Sequence, residues 1–494
     1  MEISGKSHRI LTLNTVAFAI CFACWTMNGV LVTYLVDNGI YNWSVIEMGW
    51  LLGIPILSGS LMRLPIGILT DKFGGKPVFS LLLFLCSIPL FLLYFADSYA
   101  MFALLSFCFG MVGTSFAVGI AYTSVWYPKH WQGRALGIFG MGNAGAALTT
   151  FMAPTLLGYL SQNNSENGWR LLPVIYGAVL LVMAVFFQLF AENKKAVQTS
   201  KTMSQMLSPL KSVRVWRFGL YYFLVFGMFV ALSQWLLPYY VNVYKTSLVL
   251  GGLFASLFSL PSGVIRALGG YLSDKFGARQ VMYWVLGSSV ILSLLLMIPK
   301  MDIYTPGKGV MARKTGVVAS AAAQEVKVDG ISYPIIPKKE TDETGSVFPT
   351  KTSWQQIVVT SNQPIKKKTL IAEGITKIHF EANMWVYTVL VVLIGISWGI
   401  GKAAVYKHIP EYFPNEVGVV GGMVGLIGGL GGFVGPIIFG YLLESTGLWT
   451  SLWVLMFFVS LFLLVWMHRT IISMHQKESQ HLSNQFDRYE TKKV

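Results

Sequence analysis

Long apolar blocks alternate with short polar punctuation along almost the whole of this 494-residue chain. Crossing a bilayer as a helix takes about 20 apolar residues. Blocks of that length cover 10–36, 48–70, 77–95, 101–127, 135–160 and 171–190, and then 218–244, 248–273, 281–298, 384–406, 417–443 and 448–467. The pattern predicts an all-α polytopic membrane protein with twelve spans, an N-terminal six-helix bundle over 1–191 and a C-terminal one over 218–298 and 384–467. Two connections are unlike the rest. Residues 192–217 are polar and basic (ENKKAVQTSK, then KSVRVWR) and read as a linker between the bundles. Residues 299–383, between the ninth and tenth spans, are long, polar and punctuated by Gly and Pro. They hold β-like runs at 315–318, 325–328 and 356–360 with turn signals such as Asp329-Gly330, and predict a small β-rich insertion. The plainer alternative for that segment is a flexible insert without a role of its own.

Composition narrows the class. With 54% hydrophobic and 12% charged residues and a mean hydropathy of +0.59, no soluble domain is described. The net charge of +15 would suit nucleic acid if it were clustered on one soluble face. Instead Lys6, Arg9, the DKFGGK and DKFGAR loops, the PKHWQGR loop, the linker and the tail 468–494 all fall on one side of the predicted membrane. Loops on the other side, such as DNGIYNWS and SQNNSENG, carry almost no positive charge. By the positive-inside rule both termini and the linker are cytoplasmic, the insertion is external, and the protein sits in the inner (plasma) membrane. The first block is too long for a signal-peptide core and is expected to remain as a span. Cys21, Cys24, Cys86 and Cys108 lie inside apolar blocks and read as small core residues. No metal cluster, nucleophile–base pair or phosphate loop stands out, so neither an enzyme nor a bound cofactor is expected.

The chemistry lies in a repeat. Residues 63–76 read RLPIGILTDKFGGK and 266–279 read RALGGYLSDKFGAR. Each copy sets an arginine eight residues before an aspartate at the end of an apolar helix. That places Arg63 and Arg266 roughly 12 Å inside the membrane edge, near the middle of the hydrocarbon. A charge at that depth is a functional-site hypothesis by default. The repeat extends further: GMGNAGAALTTFMAPTLLGYL at 140–160 resembles VGLIGGLGGFVGPIIFGYL at 424–442, and Asn143 falls opposite Gly425. The many glycines there suit close helix packing and also expose backbone to a small ligand.

The loops GILTDKFGGK and GYLSDKFGAR resemble the signature of the major facilitator superfamily. That likeness implies the major facilitator fold, with two pseudo-symmetric bundles and charge contacts at Asp71, Lys72, Lys76, Asp274, Lys275 and Arg279 that gate the cytoplasmic side. Arg63, Arg266, FGMGNAG around Asn143 and GLIGGLGGFVGP in the eleventh span together resemble the nitrate/nitrite porter family. The resemblance implies a nitrate or nitrite ion clamped by Arg63 and Arg266 and touched by Asn143, with Gly142 and Gly429 lining the path. It also implies aromatic rings above and below the planar ion, for which Phe116, Tyr222 and Phe226 are the candidates, with Phe22 and Trp25 ranked below them.

Physical chemistry points the same way, because a guanidinium is planar, permanently charged and forked, and suits a small planar oxyanion. Lys402, in SWGIGKAAVYKHIPEYFP, is either a snorkelling lysine or an amine withdrawn from water that takes and releases protons. Its segment resembles the branch of the family that moves nitrate with protons. His130, His408 and Glu411 are expected to be solvated in cytoplasmic turns. The expectation is therefore a monomeric, proton-coupled nitrate importer. A nitrate/nitrite exchanger is the alternative, and a non-transporting anion sensor a distant third.

Overall fold

The computed structural model describes residues 5–162, 167–195, 208–298, 301–338, 350–380, 383–413 and 417–490. Parts of the expected linker, insertion and tail, and four residues of the SQNNSENG loop, lie outside the described residues. The chain divides into two compact units, Met1–Leu296 with Leu390–Val494, and Met297–Val389.

The first unit is helical. Among the described residues eleven helices are long and apolar enough to span a membrane: Gly5–Asp37, Val45–Phe73, Gly75–Phe95, Tyr99–Ser124, Arg134–Ser161, Gly168–Phe190, Val213–Tyr244, Ala278–Leu296, Met384–Ile409, Val419–Thr446 and Ser451–Gln476. Leu248–Val264 and Arg266–Phe276, bent by 44°, together form the eighth of twelve. Ends differ from the apolar blocks by a few residues. The seventh span starts at Val213, inside the basic segment, because Val215, Phe218 and Gly219 bury one face while the arginines keep the other. The last helix runs on to Glu490, through the segment expected as a tail.

Local chemistry sets the span ends. Ser44 and Glu47 form a capping box at the start of the second span, and Ser247 accepts from the Leu250 N–H at the start of the eighth. At the opposite ends of these two spans the chain turns at Gly74 (φ 91°) and Gly277 (φ 84°), where a side chain would be strained. These are the glycines of the repeated DKFG motif. The halves meet along small residues: a Cβ added to Gly49 would lie 2.6 Å from the Pro436 carbonyl oxygen, and one at Gly53 2.6 Å from that of Phe433. Gly252 of the eighth span approaches the Thr150 carbonyl of the fifth too closely for any side chain. All three approaches lie near the starts of the second and eighth spans, so the seam is closed at the end away from the DKFG loops.

The second unit carries strands β1 (Met301–Met311), β2 (Gly316–Ala322), β3 (Glu325–Val328), β4 (Ile331–Pro334), β5 (Thr350–Ile357), β6 (Pro364–Ile365) and β7 (Leu370–Phe380). They form two antiparallel sheets in the orders β1-β7-β5 and β4-β3-β2-β6. Asp329 (φ 43°) and Gly330 (φ 81°) make the two-residue β3–β4 turn, the left-handed geometry that Asp-Gly favours. Val318, Val326, Ile365, Ile371 and Tyr333 pack the core. The run expected at 356–360 is a strand only to Ile357. Beyond it Gln363 accepts from the Thr360 N–H and Asn362 takes φ 68°, turning the chain. Desolvation acts to raise the Asp302 carboxyl, but hydrogen bonds and charge from His379 and Lys377 outweigh it and hold the group below the usual carboxylate range.

Candidate functional site

Both repeat arginines start a new helical segment after a break. The second span is interrupted at Met62 and the eighth at Ile265, and Arg63 and Arg266 are the first residues beyond. Helices facing these two are irregular at the same region. The fifth span tightens to a 3-10 turn at Met141–Ala144, and the seventh widens to a π-turn at Phe223–Met228. Such irregular turns re-aim side chains and are frequent at functional sites.

Arg63 is 3% exposed. Its Nη1 donates to the Gly425 carbonyl at 2.5 Å, while Nε and Nη2 have no hydrogen-bond partner among the described residues. Its Cζ lies 5.5 Å from the Trp25 ring, 5.4 Å from Phe116 and 5.3 Å from Phe226. Arg266, 8% exposed, has its Cζ 5.5 Å from the same Phe116 ring and 5.6 Å from Tyr406. Its stem runs beside Gly140, where a Cβ would sit 3.1 Å from Cδ, and its Nη1 is unpartnered among the described residues. Neither arginine has an ion pair among the described residues. An unpaired buried charge costs several kcal/mol, so this region is electrostatically complete only when an anion enters.

Asn143 is fully buried in the 3-10 turn, with neither Nδ2 nor Oδ1 hydrogen-bonded among the described residues. It sits one turn beyond Gly140, on the element that Arg266 lies against. The aromatics form a continuous wall. Tyr222 stacks on Phe226 at 4.9 Å and 9°, Phe226 lies at 6.2 Å and 23° to Phe116, and Tyr406 meets Tyr222 edge-on at 5.0 Å. Among the described residues Phe22 meets this wall at Phe226, at 6.5 Å.

The two path glycines differ. Gly429 faces the site, with a Cβ there 3.4 Å from Arg63 Nη1 and colliding with the Ser60 hydroxyl. Gly142 instead packs against Phe18 and the Thr15 carbonyl of the first span. In the eleventh span Gly425 and Gly429 abut Arg63, whereas Gly431 and Gly435 pack against the seventh span. Ligand exposure and close packing thus share one helix.

Lys402 does not snorkel. It is fully buried, donates to Ser262 Oγ at 3.0 Å, and holds its Nζ 3.1 Å from the Phe229 ring centroid. Ser262 lies one turn before Arg266 on the eighth span, so the two cations share a neighbourhood. His408 corrects the expectation of a solvated turn. It is 4% exposed within the tenth span, its Nδ1–H donates to the Ala404 carbonyl at 2.8 Å, and its ring packs in a cluster with Phe218 and Tyr412. Glu411 is exposed, and the His130 side chain lies outside the described residues.

At the DKFG end, Asp274 pairs with Lys407 at 2.5 Å and Arg279 donates to the Tyr412 hydroxyl at 2.5 Å, both within the C-terminal half. Lys72 and Lys275 rest over Phe73 and Phe276. Asp71 and Lys76 make no hydrogen bond or ion pair among the described residues. A clasp here has no signal in the sequence. Glu192 pairs with Arg9 at 2.8 Å and Lys6 at 3.4 Å and accepts from the Tyr122 hydroxyl through its backbone, while Asn193 donates to the Phe73 carbonyl.

Tyr406, Trp25 and the Gly425 carbonyl also belong to the site, although none is among the leading candidates of the sequence. Tyr406 is signalled there, being four residues from Lys402 on the same helix face. Among the described residues no group of three or more His, Cys, Asp or Glu could hold a metal ion.

Twelve spans in two related halves, with a cationic centre sealed at one end, define a membrane carrier. The Major Facilitator Superfamily matches residues 14–319 and 369–486. A protein of Thermus thermophilus named as a probable nitrate/nitrite antiporter, NarK1, is 40% identical across 97% of this chain and 95% of its own. The Bacillus subtilis nitrite extrusion protein is 28% identical across 63% of this chain and 77% of its own. Among solved structures, an inward-facing, occupied bacterial homolog of the human lysosomal transporter Spinster superposes with a TM-score of 0.63 at 14% identity, over 95% of this chain and 98% of that one. The chain belongs to the Major Facilitator Superfamily and, within it, to the nitrate/nitrite porters.

Proposed function

We propose that this protein imports nitrate, and accepts nitrite, across the inner membrane by alternating access coupled to protons. The observation that carries the reading is the pair of buried guanidiniums, Arg63 and Arg266, one from each half, facing one Phe116 ring with no carboxylate paired to either among the described residues. A planar oxyanion fits the free Nε and Nη2 of Arg63, the free Nη1 of Arg266 and the Asn143 amide, with its face against Phe116, Phe226 and Tyr222. Two positive charges offset much of the cost of dehydrating an anion, and the aromatic wall excludes water. The names of the Thermus and Bacillus relatives support the choice of anion.

Halves 1–191 and 218–298 with 384–467 rock about the site, joined by the linker 192–217, with both termini cytoplasmic and the protein a monomer. The seam at Gly49, Gly53 and Gly252 opens as the DKFG end closes. Asp71, Lys72, Lys76, Asp274, Lys275 and Arg279 make and break charge contacts in that exchange.

Coupling falls to Lys402. An interior-negative potential opposes entry of one anion by about 2.3 kcal/mol per 100 mV, and co-transport of more than one proton per nitrate makes entry favourable. Lys402 is buried beside Arg266, with a hydroxyl and a ring as neighbours, and an anion bound at Arg266 favours its protonated form. A second reading, exchange of nitrate for nitrite, is favoured by the antiporter name of the Thermus relative. The test is purified protein in liposomes loaded with a pH-sensitive dye, under a nitrate gradient at clamped potential. Alkalinisation of the nitrate-rich side that disappears in Lys402→Ala is the expected result. Nitrate flux without a pH change, and only with nitrite on the far side, makes the protein an exchanger.

A further inference from the structure

A second cationic site lies at the DKFG end of the C-terminal half, away from the central arginines. Where the seventh span begins and the twelfth passes out of the apolar zone, Arg214, Arg217 and Arg469, with Ser212, Thr470 and Ser473, line a cavity of about 520 Å³. A neighbouring cleft adds Arg279 and His408. No carboxylate lines either one among the described residues. The arginines are fixed from behind: Arg214 Cζ lies 5.0 Å from the Tyr412 ring and Arg217 Cζ 5.5 Å from Trp466. Arg217 Nε is buried and has no hydrogen-bond partner among the described residues. Three guanidiniums, those of Arg214 and Arg217 held by rings, and three hydroxyls form a donor set that suits a phosphate monoanion.

The surroundings decide what carries the phosphate. The adjoining surface is apolar and open: Val213, which lines the cavity, is 61% exposed, and Trp216 and Ile472, next in the chain to lining residues, are 48% and 43% exposed; Trp216 donates its indole N–H to the Leu210 carbonyl at 2.8 Å. Trp216 and Trp466 mark the level of the membrane interface, where tryptophan is enriched. A ligand here must present an anionic head to the arginines and hydrocarbon to the adjoining surface, which a soluble phosphate does not do. Basic pockets between spans on the cytoplasmic side are suited to acidic lipid head groups. We propose that this cavity binds the headgroup phosphate of an anionic phospholipid, holding the inner ends of the seventh, tenth and twelfth spans together. Nothing in this proposal depends on which ion the protein carries.

The test is native mass spectrometry of the detergent-solubilised protein with phosphatidylglycerol, phosphatidylcholine or inorganic phosphate. The protein should retain phosphatidylglycerol over phosphatidylcholine. Arg214→Gln/Arg217→Gln/Arg469→Gln should weaken that retention roughly tenfold or more, and the charge-matched control Arg134→Gln/Lys194→Gln/Lys195→Gln should leave it intact. If the triple variant is unstable, Arg469→Gln alone, on an exposed helix surface, should give a partial loss. Equal retention in the variants and the wild type overturns the site. So does displacement of the lipid by millimolar inorganic phosphate, which would assign the cavity to a free anion.

Discussion

The two arginines come from one repeated sequence, yet the protein uses them differently. Arg63 is tied: one nitrogen is committed to the Gly425 carbonyl and three rings surround its head. Arg266 is looser, with two rings, a glycine along its stem and a buried lysine nearby. Their partners invert the same logic. Where the fifth span offers the free amide of Asn143, the eleventh offers only the backbone of Gly425. The repeat sets the same broken helix in each half, and the few positions at which the copies differ distinguish the two arginines' surroundings. On the proposed reading the N-terminal arginine is a fixed wall of the site, and the C-terminal one the part that responds to charge.

The comparison breaks first at the arginines. Arg63→Gln should lower nitrate uptake about 100-fold, and its melting temperature should lie below that of Arg266→Gln, because each change relieves an unpaired buried charge but only Arg63 loses a charge-assisted hydrogen bond to a backbone carbonyl. Arg266→Gln should lower uptake as far, and equal melting temperatures in the two variants would erase the distinction. Next comes Lys402→Met, which keeps volume and removes charge. Nitrate flux down its gradient should persist but no longer carry protons, read with a pH-sensitive dye in proteoliposomes. Asn143→Ala should raise the KM for nitrate about tenfold through one lost buried hydrogen bond. Gly425→Ala, whose Cβ would lie 3.1 Å from the Tyr406 hydroxyl and 3.6 Å from Arg63 Nη1, should raise KM only a few-fold. Reversal of that order would mean that the eleventh span, not the fifth, supplies the selective contact. The smallest effect should come from Asp274→Asn. Its pair with Lys407 is exposed, of a kind that contributes about 0–1 kcal/mol, so the rate should change less than about fivefold.

Much of this architecture is legible in the amino-acid sequence. Apolar block length marks the twelve spans, and the repeat locates Arg63, Arg266 and Asn143. Asp329-Gly330 correctly marks a hairpin. The break at Met62 is signalled by Pro65, three residues on, which has no N–H to offer the Leu61 carbonyl, whereas the break at Ile265 is not legible, because the nearest proline, Pro261, lies inside regular helix. The π-turn at 223–228 carries no composition signal either, being set by the fit of Gly227 against Gly428 and Gly431. His408 is misplaced by its local pattern because HIPEYFP reads as an interfacial turn, whereas helix continues to Tyr412 and buries the ring. The Glu192 clasp joins residues more than 180 positions apart through exposed side chains, a pairing that no local pattern encodes.

The central claim is that two guanidiniums, rather than two positive charges of any shape, make the anion site. The direct measurement is nitrate affinity of the purified protein by titration calorimetry for the wild type, Arg63→Lys, Arg266→Lys and the double variant. Each lysine should weaken binding about tenfold or more and the pair should abolish it, since a point charge cannot reproduce the planar forked contact. Wild-type affinity in the double variant would contradict the account.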